Sequence, residues 1–291
     1  MAIFDSIEEL LSAAETSGRP LWEEILISAA DEAGESREQS WERMDRRLAA
    51  METADASYQP EQRSHSGLSG GDGERMAQYA ASGRSICGSF TNQVIAAALR
   101  MSECNACMHR IVAAPTAGSC GVIPAVLLSY RLHFQRNRED LIKALYITAG
   151  FGAVIAKRAS ISGAEAGCQA EIGSAAAMAA AALVFLHGGT PQQMANAVAI
   201  ALKNMMGLVC DPVAGLVEVP CVKRNAAGAM NALTAAEMAL AGITSRIPPD
   251  EVIDAMATVG AALPASLRET GMGGIAASPT ALRFRKSFFG K

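Results

Sequence analysis

The sequence predicts an all-α fold, and three observations support that prediction. Half of the 291 residues are hydrophobic but only 5% are aromatic, so the apolar content is mostly Ala, Val, Ile, Leu and Met. Such residues are typical of tightly packed helices, whereas β-sandwiches favour aromatic and β-branched side chains. No alternating apolar and polar segment is long enough to build a sheet, and no internal repeat is visible. We therefore expect helices that are joined by ordered loops rich in glycine and serine.

Helix start and stop signals place these elements in order. Asp5 precedes a first helix that Gly18 and Pro20 end, and a second helix is predicted from Leu21 towards Met51. Further helices are predicted at residues 75–108, 122–134, 139–158, 175–182, 190–207, 224–241 and 249–260. The intervening breaks are loop 1 (residues 57–75), loop 2 (113–121) and loop 3 (208–222), and the tail from residue 263 is predicted to be irregular.

Two segments can be distinguished along the chain. Residues 1–56 form an N-terminal helical segment, and residues 57–291 carry the three loops. Because 291 residues suffice for one large core, we expect the two segments to form one continuous domain.

Composition excludes several classes of function. The net charge of −4 and the pI of about 5.7 give no electrostatic attraction for nucleic acid. The N-terminus lacks the basic and then apolar pattern of a signal peptide. The longest apolar stretch, about 15 residues from Ile172, is shorter than the ~20 residues that span a bilayer, so we expect a buried helix. Seven cysteines without an export signal favour a reducing, cytoplasmic location.

Three cysteines lie where the backbone is predicted to bend. Cys210 and Cys221 occupy loop 3, each beside a proline-containing turn. Cys168 follows a glycine in another segment where the helical pattern is interrupted. This placement suits metal ligands, but buried cysteines often act as small hydrophobic residues, and these three contain no Cys-x-x-Cys pair. The spacing alone leaves both interpretations open. The remaining thiols Cys87, Cys104 and Cys107 are predicted to be structural, and Cys120 is undecided.

Loops 1 and 2 offer backbone N–H groups and hydroxyls that could converge on an anion. A flexible linker is the alternative, and neither loop matches a nucleotide-binding motif. A small carboxylate is therefore the expected ligand, bound by Ser66, Gly67, Ser69, Gly70, Thr116 and Gly118. Among the four histidines only His65, inside loop 1, is a candidate acid–base group.

Five sequence blocks, in order, resemble the iron–sulfur-dependent L-serine dehydratases. Ser-Gly-Leu-Ser-Gly-Gly-Asp at residues 66–72 is similar to that family's Ser-Gly-Leu-Thr-Gly-Gly-Asp segment, and residues 114–121 are similar to its Ala-Pro-Thr-(Ala/Asn)-Gly-x-x-Gly loop. The other three blocks lie at residues 162–169, 210–215 and 219–225, and the likeness covers roughly residues 57 to 280.

This resemblance implies a [4Fe–4S] cluster held by Cys168, Cys210 and Cys221, with one iron left open as a Lewis acid. It implies elimination of water from L-serine, giving pyruvate and ammonia, in a helical catalytic domain whose loops surround the cluster. We expect the three ligand sulfurs to lie within roughly 6–8 Å of one another.

The chain departs from the single-chain members of that family. It lacks their separate N-terminal domain and has no cysteine near its C-terminus. The resemblance therefore implies a separate β subunit, which could carry an acid–base residue. L-Threonine or another hydroxy amino acid stays open as a substrate. An iron–sulfur redox or iron-sensing protein without turnover, and a helical protein whose cysteines only fill the core, remain alternatives.

Overall fold

The computed structural model describes residues 4–290 and consists of helices joined by short loops. Residues 1–3 and Lys291 lie outside the described residues. The first three belong to the N-terminal stretch in which the sequence shows no signal-peptide pattern. The helices are α1 (Ile7–Ser17), α2 (Leu21–Ala33), α3 (Arg37–Ala56), α4 (Asp72–Ala81), α5 (Ser89–Ala106), α6 (Val122–Phe134), α7 (Arg138–Arg158), α8 (Gly163–Ala166), α9 (Ser174–Leu186), α10 (Pro191–Met205), α11 (Cys221–Leu240), α12 (Pro249–Ala262) and α13 (Pro279–Phe289). No strand occurs between residues 4 and 290, so the all-α prediction is confirmed.

Capping interactions explain where several helices begin. The Ser6 hydroxyl, directly after Asp5, caps α1 by accepting from Glu9 N. At α10 the Thr190 hydroxyl and the Gln193 side chain form a reciprocal capping box, with Pro191 in the first turn as predicted.

The predicted second helix is wrong in its extent. The segment predicted as one helix from Leu21 forms two helices, α2 and α3. Gly34 adopts a left-handed conformation that ends α2, and Ser36 then caps α3. The predicted helix over residues 75–108 is likewise divided into α4 and α5. The tail is also less irregular than predicted, because Ser278 caps the additional helix α13.

Helix α9 lies at the centre of the molecule. Its alanine-rich sequence is buried on nearly all sides, and α6, α7, α10 and α11 pack around it. Small side chains allow this close approach of neighbouring helices. By length and composition residues Gln169–Leu186 could cross a membrane, but 89% of that stretch is buried inside the protein, as predicted for a core helix.

Residues from both predicted segments contribute to one hydrophobic core. Ile7, Leu10 and Leu48 from α1 and α3 are fully buried together with residues of α7, α9 and α10. Helix α3 ends at Ala56, at the predicted segment boundary. Loops 1, 2 and 3 meet around the first turns of α11, which positions the candidate site.

Candidate active site

The centre of the site is a group of two buried thiols and one half-buried carboxylate. The Sγ atoms of Cys168 and Cys210 and a carboxylate oxygen of Glu171 all lie within 4.8 Å of one another. Both cysteines are almost completely buried. Such a group, rich in cysteine, could hold a metal ion. We call this group and its surroundings the thiol pocket.

Cys221 lies beside the thiol pocket at the first residue of α11 but outside the 4.8 Å group. Its side chain is buried, and its thiol has a pKa raised to about 12. Burial is the main cause of that rise, and the negative charges of Cys168 and Glu171 add to it. Cys168 and Cys210 lie together as expected, and the expected separation of roughly 6–8 Å between Cys221 and these two thiols stays a prediction.

A π-helical turn positions two of these side chains. Residues Gln169–Gly173 form a π-helix between Cys168 and α9, and such turns often occur at functional sites. The Gln169 side chain anchors the turn, accepting from Gly207 N and donating to Met256 O. Gly167 has a positive φ of 78°, and a Cβ there would lie 2.7 Å from Leu208 O. Glycine at position 167 thus allows the segment that carries Cys168 to pack closely against loop 3.

Loop 3 is connected to the C-terminal tail at Cys210. Cys210 N donates to Leu267 O (2.9 Å), and Glu269 N donates to Cys210 O (2.7 Å), which creates an isolated parallel bridge. Ile275 N also donates to the Asp211 carboxylate at 2.7 Å. The tail, which the sequence predicted only as irregular, therefore forms one wall of the thiol pocket.

Electrostatics distinguish the two central thiols. Interaction with Cys210, together with the nearby Arg224 guanidinium, holds the pKa of the Cys168 thiol below its usual range despite burial. The same interaction and burial raise the pKa of Cys210. Arg224 Nη1 lies 3.5 Å from Cys168 Sγ and 2.9 Å from Asp211 Oδ1. The pocket thus stabilises a thiolate at Cys168, the form that binds metals.

Glu171 was missed by the sequence reasoning. Its carboxylate accepts a short hydrogen bond from the Thr116 hydroxyl of loop 2. Burial raises its pKa, although the Thr116 hydrogen bond acts in the opposite direction. The available signal was its position three residues after Cys168, since such a spacing brings side chains to one face of a helical turn.

Loop 2 is held against α11 by Asn225, a second residue that the sequence reasoning did not select. Asn225 Nδ2 donates to Gly118 O (2.7 Å), and its Oδ1 accepts from Gly121 N (2.9 Å). A Cβ at Gly118 would lie 2.6 Å from Glu171 Oε1, so the glycine is required for this approach. Thr116 and Gly118 therefore lie beside Glu171 at the thiol pocket.

The hydroxyls of loop 1 bind a carboxylate that belongs to the chain itself. Ser64 Oγ and Ser66 Oγ donate to the two oxygens of the buried Glu218, at 2.5 and 2.8 Å. Glu218 belongs to loop 3 and lies three residues before Cys221. Ser69 Oγ is buried and has no hydrogen-bond partner among the atoms of residues 4–290.

The backbone N–H groups of loop 1 converge on a second internal carboxylate. Glu103 of α5 is only 1% exposed and accepts from the N–H groups of Gly70, Asp72 and Gly73 as well as from Tyr58 Oη. The N–H groups of this loop converge on a carboxylate, but it is a side chain of the protein itself, and the binding of a substrate by loop 1 stays a prediction.

His65 and Gly67 lie at the exposed surface of loop 1. The His65 imidazole packs edge-on against Phe288 of α13, with 5.8 Å between ring centroids. Cys104 and Cys120 are buried and donate to the backbone carbonyls of Ala54 and Met101. This arrangement is consistent with the structural role predicted for Cys104 and makes Cys120 a packing residue too.

Comparison with known proteins identifies the family. The model of the serine dehydratase alpha chain family matches residues 16–276. The probable L-serine dehydratase alpha chain of Bacillus subtilis (strain 168) is 49% identical over 99% of this chain and 96% of its own length. The L-serine dehydratase alpha chain of Peptoniphilus asaccharolyticus is 49% identical over 75% of each chain. L-Serine dehydratase 1 of Escherichia coli (strain K12) is 45% identical over 62% of this chain and 40% of its own length. The chain belongs to the serine dehydratase alpha chain family.

Proposed function

We propose that this protein is an enzyme, the α chain of an L-serine dehydratase, which eliminates water from L-serine to give pyruvate and ammonia. The observation that carries the proposal is the thiol pocket, where Cys168, Cys210 and the Glu171 carboxylate lie within 4.8 Å of one another beside Thr116. The printed names of the relatives support the same reaction. The non-catalytic iron–sulfur alternative has no comparable support.

The donor set fits an iron–sulfur cluster. Cys168, Cys210 and Cys221 are buried thiols on three different chain segments, and soft thiolate ligands favour Fe–S clusters or zinc. Gly163 leaves room beside them, because a Cβ there would lie 3.0 Å from Cys210 Sγ. We assign these three cysteines as ligands of a [4Fe–4S] cluster. When bound, a cluster with three cysteine ligands offers an open iron that acts as a Lewis acid toward the leaving hydroxyl.

The chain's own residues bind and orient the substrate. Thr116 and Gly118 of loop 2 lie nearest to the thiol pocket, with Ser66, Gly67, Ser69 and Gly70 of loop 1 completing the proposed substrate site. The buried and unpaired Ser69 hydroxyl is the loop 1 donor that is available to a carboxylate, because Ser66 is engaged by Glu218 and Gly70 N by Glu103. His65 is proposed as an acid–base group that a partner chain would bring out of solvent.

A β chain would cover the site by binding the C-terminal tail. Met272, Ile275, Leu282 and Phe289 expose large apolar side chains on the tail that also forms a wall of the thiol pocket. Within α13 only Ala281 is buried, so this helix gains little stability from packing on the rest of the chain. Because an isolated helix of 11 residues is only marginally stable in water, contact with a partner would stabilise α13. Exposed apolar groups of this kind mark interaction surfaces. The unpaired state of all seven cysteines supports a cytoplasmic location for the complex.

The test is co-purification of this chain with its β chain without oxygen, followed by a pyruvate assay on L-serine and, in parallel, on L-threonine. We expect turnover of L-serine by the complex and little or none by the chain alone. Iron and sulfide should be present in both preparations. A complex that holds iron but makes no keto acid from either amino acid would contradict the enzyme assignment.

The partner surface has its own test. Leu282→Asp on α13 should weaken β-chain binding in a pull-down, whereas Leu132→Asp on α6 should not. Both leucines are at least half exposed, at 50% and 68%, so neither change removes core packing. Equal binding by the two variants would exclude α13 from the interface.

A further inference from the structure

Glu171 is a half-buried carboxylate without a cationic side-chain partner in the described part of the chain. Its one side-chain hydrogen bond comes from Thr116, and no Lys, Arg or His among residues 4–290 forms an ion pair with it. Arg224, the cation at the thiols, already contacts Asp211, Val209 O and Cys168 Sγ. Partial burial removes some of the water that would otherwise solvate this carboxylate, and Thr116 alone does not use all its acceptor positions, so it is suited to a cation that arrives with the ligand.

Two glycines lie against the Glu171 carboxylate. Gly118 and Gly163 approach the carboxylate so closely that a Cβ would lie 2.6 Å from Oε1 or 3.4 Å from Oε2, respectively. Cys210 Sγ lies on the same side, 3.0 Å from the Cβ position of Gly163. A primary ammonium group is a compact cation that donates three hydrogen bonds, which suits a carboxylate whose neighbours include two glycines.

We propose that Glu171 binds the α-ammonium group of the amino-acid substrate and thereby selects amino acids over hydroxy acids. This inference rests on the proposed function. In L-serine the ammonium and the hydroxyl are carried by adjacent carbons, so a molecule with its hydroxyl at the thiols brings its ammonium to Glu171. Thr116, through its hydrogen bond, holds the carboxylate in place. A hydrogen bond between an ammonium group and a carboxylate is charge-assisted and therefore stronger than one between neutral groups.

The test compares L-serine with 3-hydroxypropionate, which has the same carboxylate and hydroxyl but no ammonium. In the α–β complex, Glu171→Gln keeps the side-chain shape and the acceptor for Thr116 but removes the charge. We expect the KM for L-serine to rise about 10- to 100-fold, which corresponds to the loss of about 1.4–2.8 kcal/mol of binding free energy. The inhibition constant of 3-hydroxypropionate should change little, and the iron content of the complex should stay at the wild-type level.

Three further variants make the result specific. Glu165→Gln, six residues away on the exposed side of α8, should leave the KM unchanged. Glu171→Asp keeps the charge and should recover part of the L-serine affinity. Glu269→Gln tests the exposed carboxylate near the same pocket and should have a smaller effect than Glu171→Gln.

Several outcomes would overturn the proposal. Loss of iron from Glu171→Gln would make this residue a metal ligand. An equal weakening of L-serine and 3-hydroxypropionate would make its role merely structural, and a dominant effect of Glu269→Gln would move the ammonium site. The wild-type pyruvate assay is independent of all three, so failure of the proposed function would be recognised separately.

Discussion

Two carboxylates of the loop region, the buried Glu103 and the half-buried Glu171, have opposite surroundings. Glu103 accepts four hydrogen bonds, three of them from backbone N–H groups within residues 70–73, and thereby holds loop 1 on α5. Glu171 accepts one side-chain hydrogen bond and lies beside two thiols. A carboxylate whose acceptor positions are all hydrogen-bonded within the protein, such as Glu103, stabilises the fold. A carboxylate with unused acceptor positions, such as Glu171, can also bind a ligand.

The largest effect that tests this contrast should come from the thiols. Replacing Cys168, Cys210 or Cys221 by Ala should reduce the activity of the α–β complex by on the order of 1000-fold, since Lewis-acid assistance is worth several kcal/mol. The loss should be accompanied by loss of iron, measured by metal analysis of protein prepared without oxygen.

Cys104→Ala is the matched control for those variants. Cys104 is as buried as Cys168 but donates to Ala54 O away from the thiol pocket. Its replacement should leave the iron content and the turnover nearly unchanged. If it removed iron as completely as Cys168→Ala, the assignment of the ligands would be wrong.

Glu103→Gln should have the next largest effect, and on stability. The amide retains one acceptor, so at least one buried N–H loses its partner along with the charge-assisted character of the other bonds. We expect the free energy of unfolding to fall by about 2–4 kcal/mol, measured by urea unfolding of the full chain. Glu61→Gln, on the exposed side of loop 1, is the control. Unchanged stability in Glu103→Gln would mean that this carboxylate does not hold the loop.

The smallest predicted effect concerns the glycine beside Glu171. Gly118→Ala places a methyl group against the Glu171 carboxylate, and the shift that follows should raise the KM for L-serine about tenfold, at a cost of about 1–3 kcal/mol from overpacking. Gly88→Ala introduces a methyl group into open space and should leave the KM unchanged. Equal KM values for the two variants would show that the position of Glu171 is unimportant for substrate binding.

The sequence predicted much of the fold, but it did not resolve which parts of the loops are used internally. Helix starts at Thr190 and stops at Gly18 follow from local chemistry, and both are found in the structure. Loop 1 looked like a ligand cradle because its glycines and serines favour anion binding. Only the fold supplies Glu103 and Glu218, which lie 30 or more residues away along the chain and bind that loop.

The sequence by itself determined the helical class, the alanine-rich core helix and the position of three cysteines in bends between helices. These features depend on periodicity, capping residues and turn residues, which act between residues that are close along the chain. Tertiary structure decided that Cys168, Cys210 and Glu171 meet, that the tail forms a wall of their pocket, and that Glu171 rather than Glu103 retains free acceptors. The physical reason is that hydrogen-bond satisfaction and burial depend on distant segments that only the folded chain brings together.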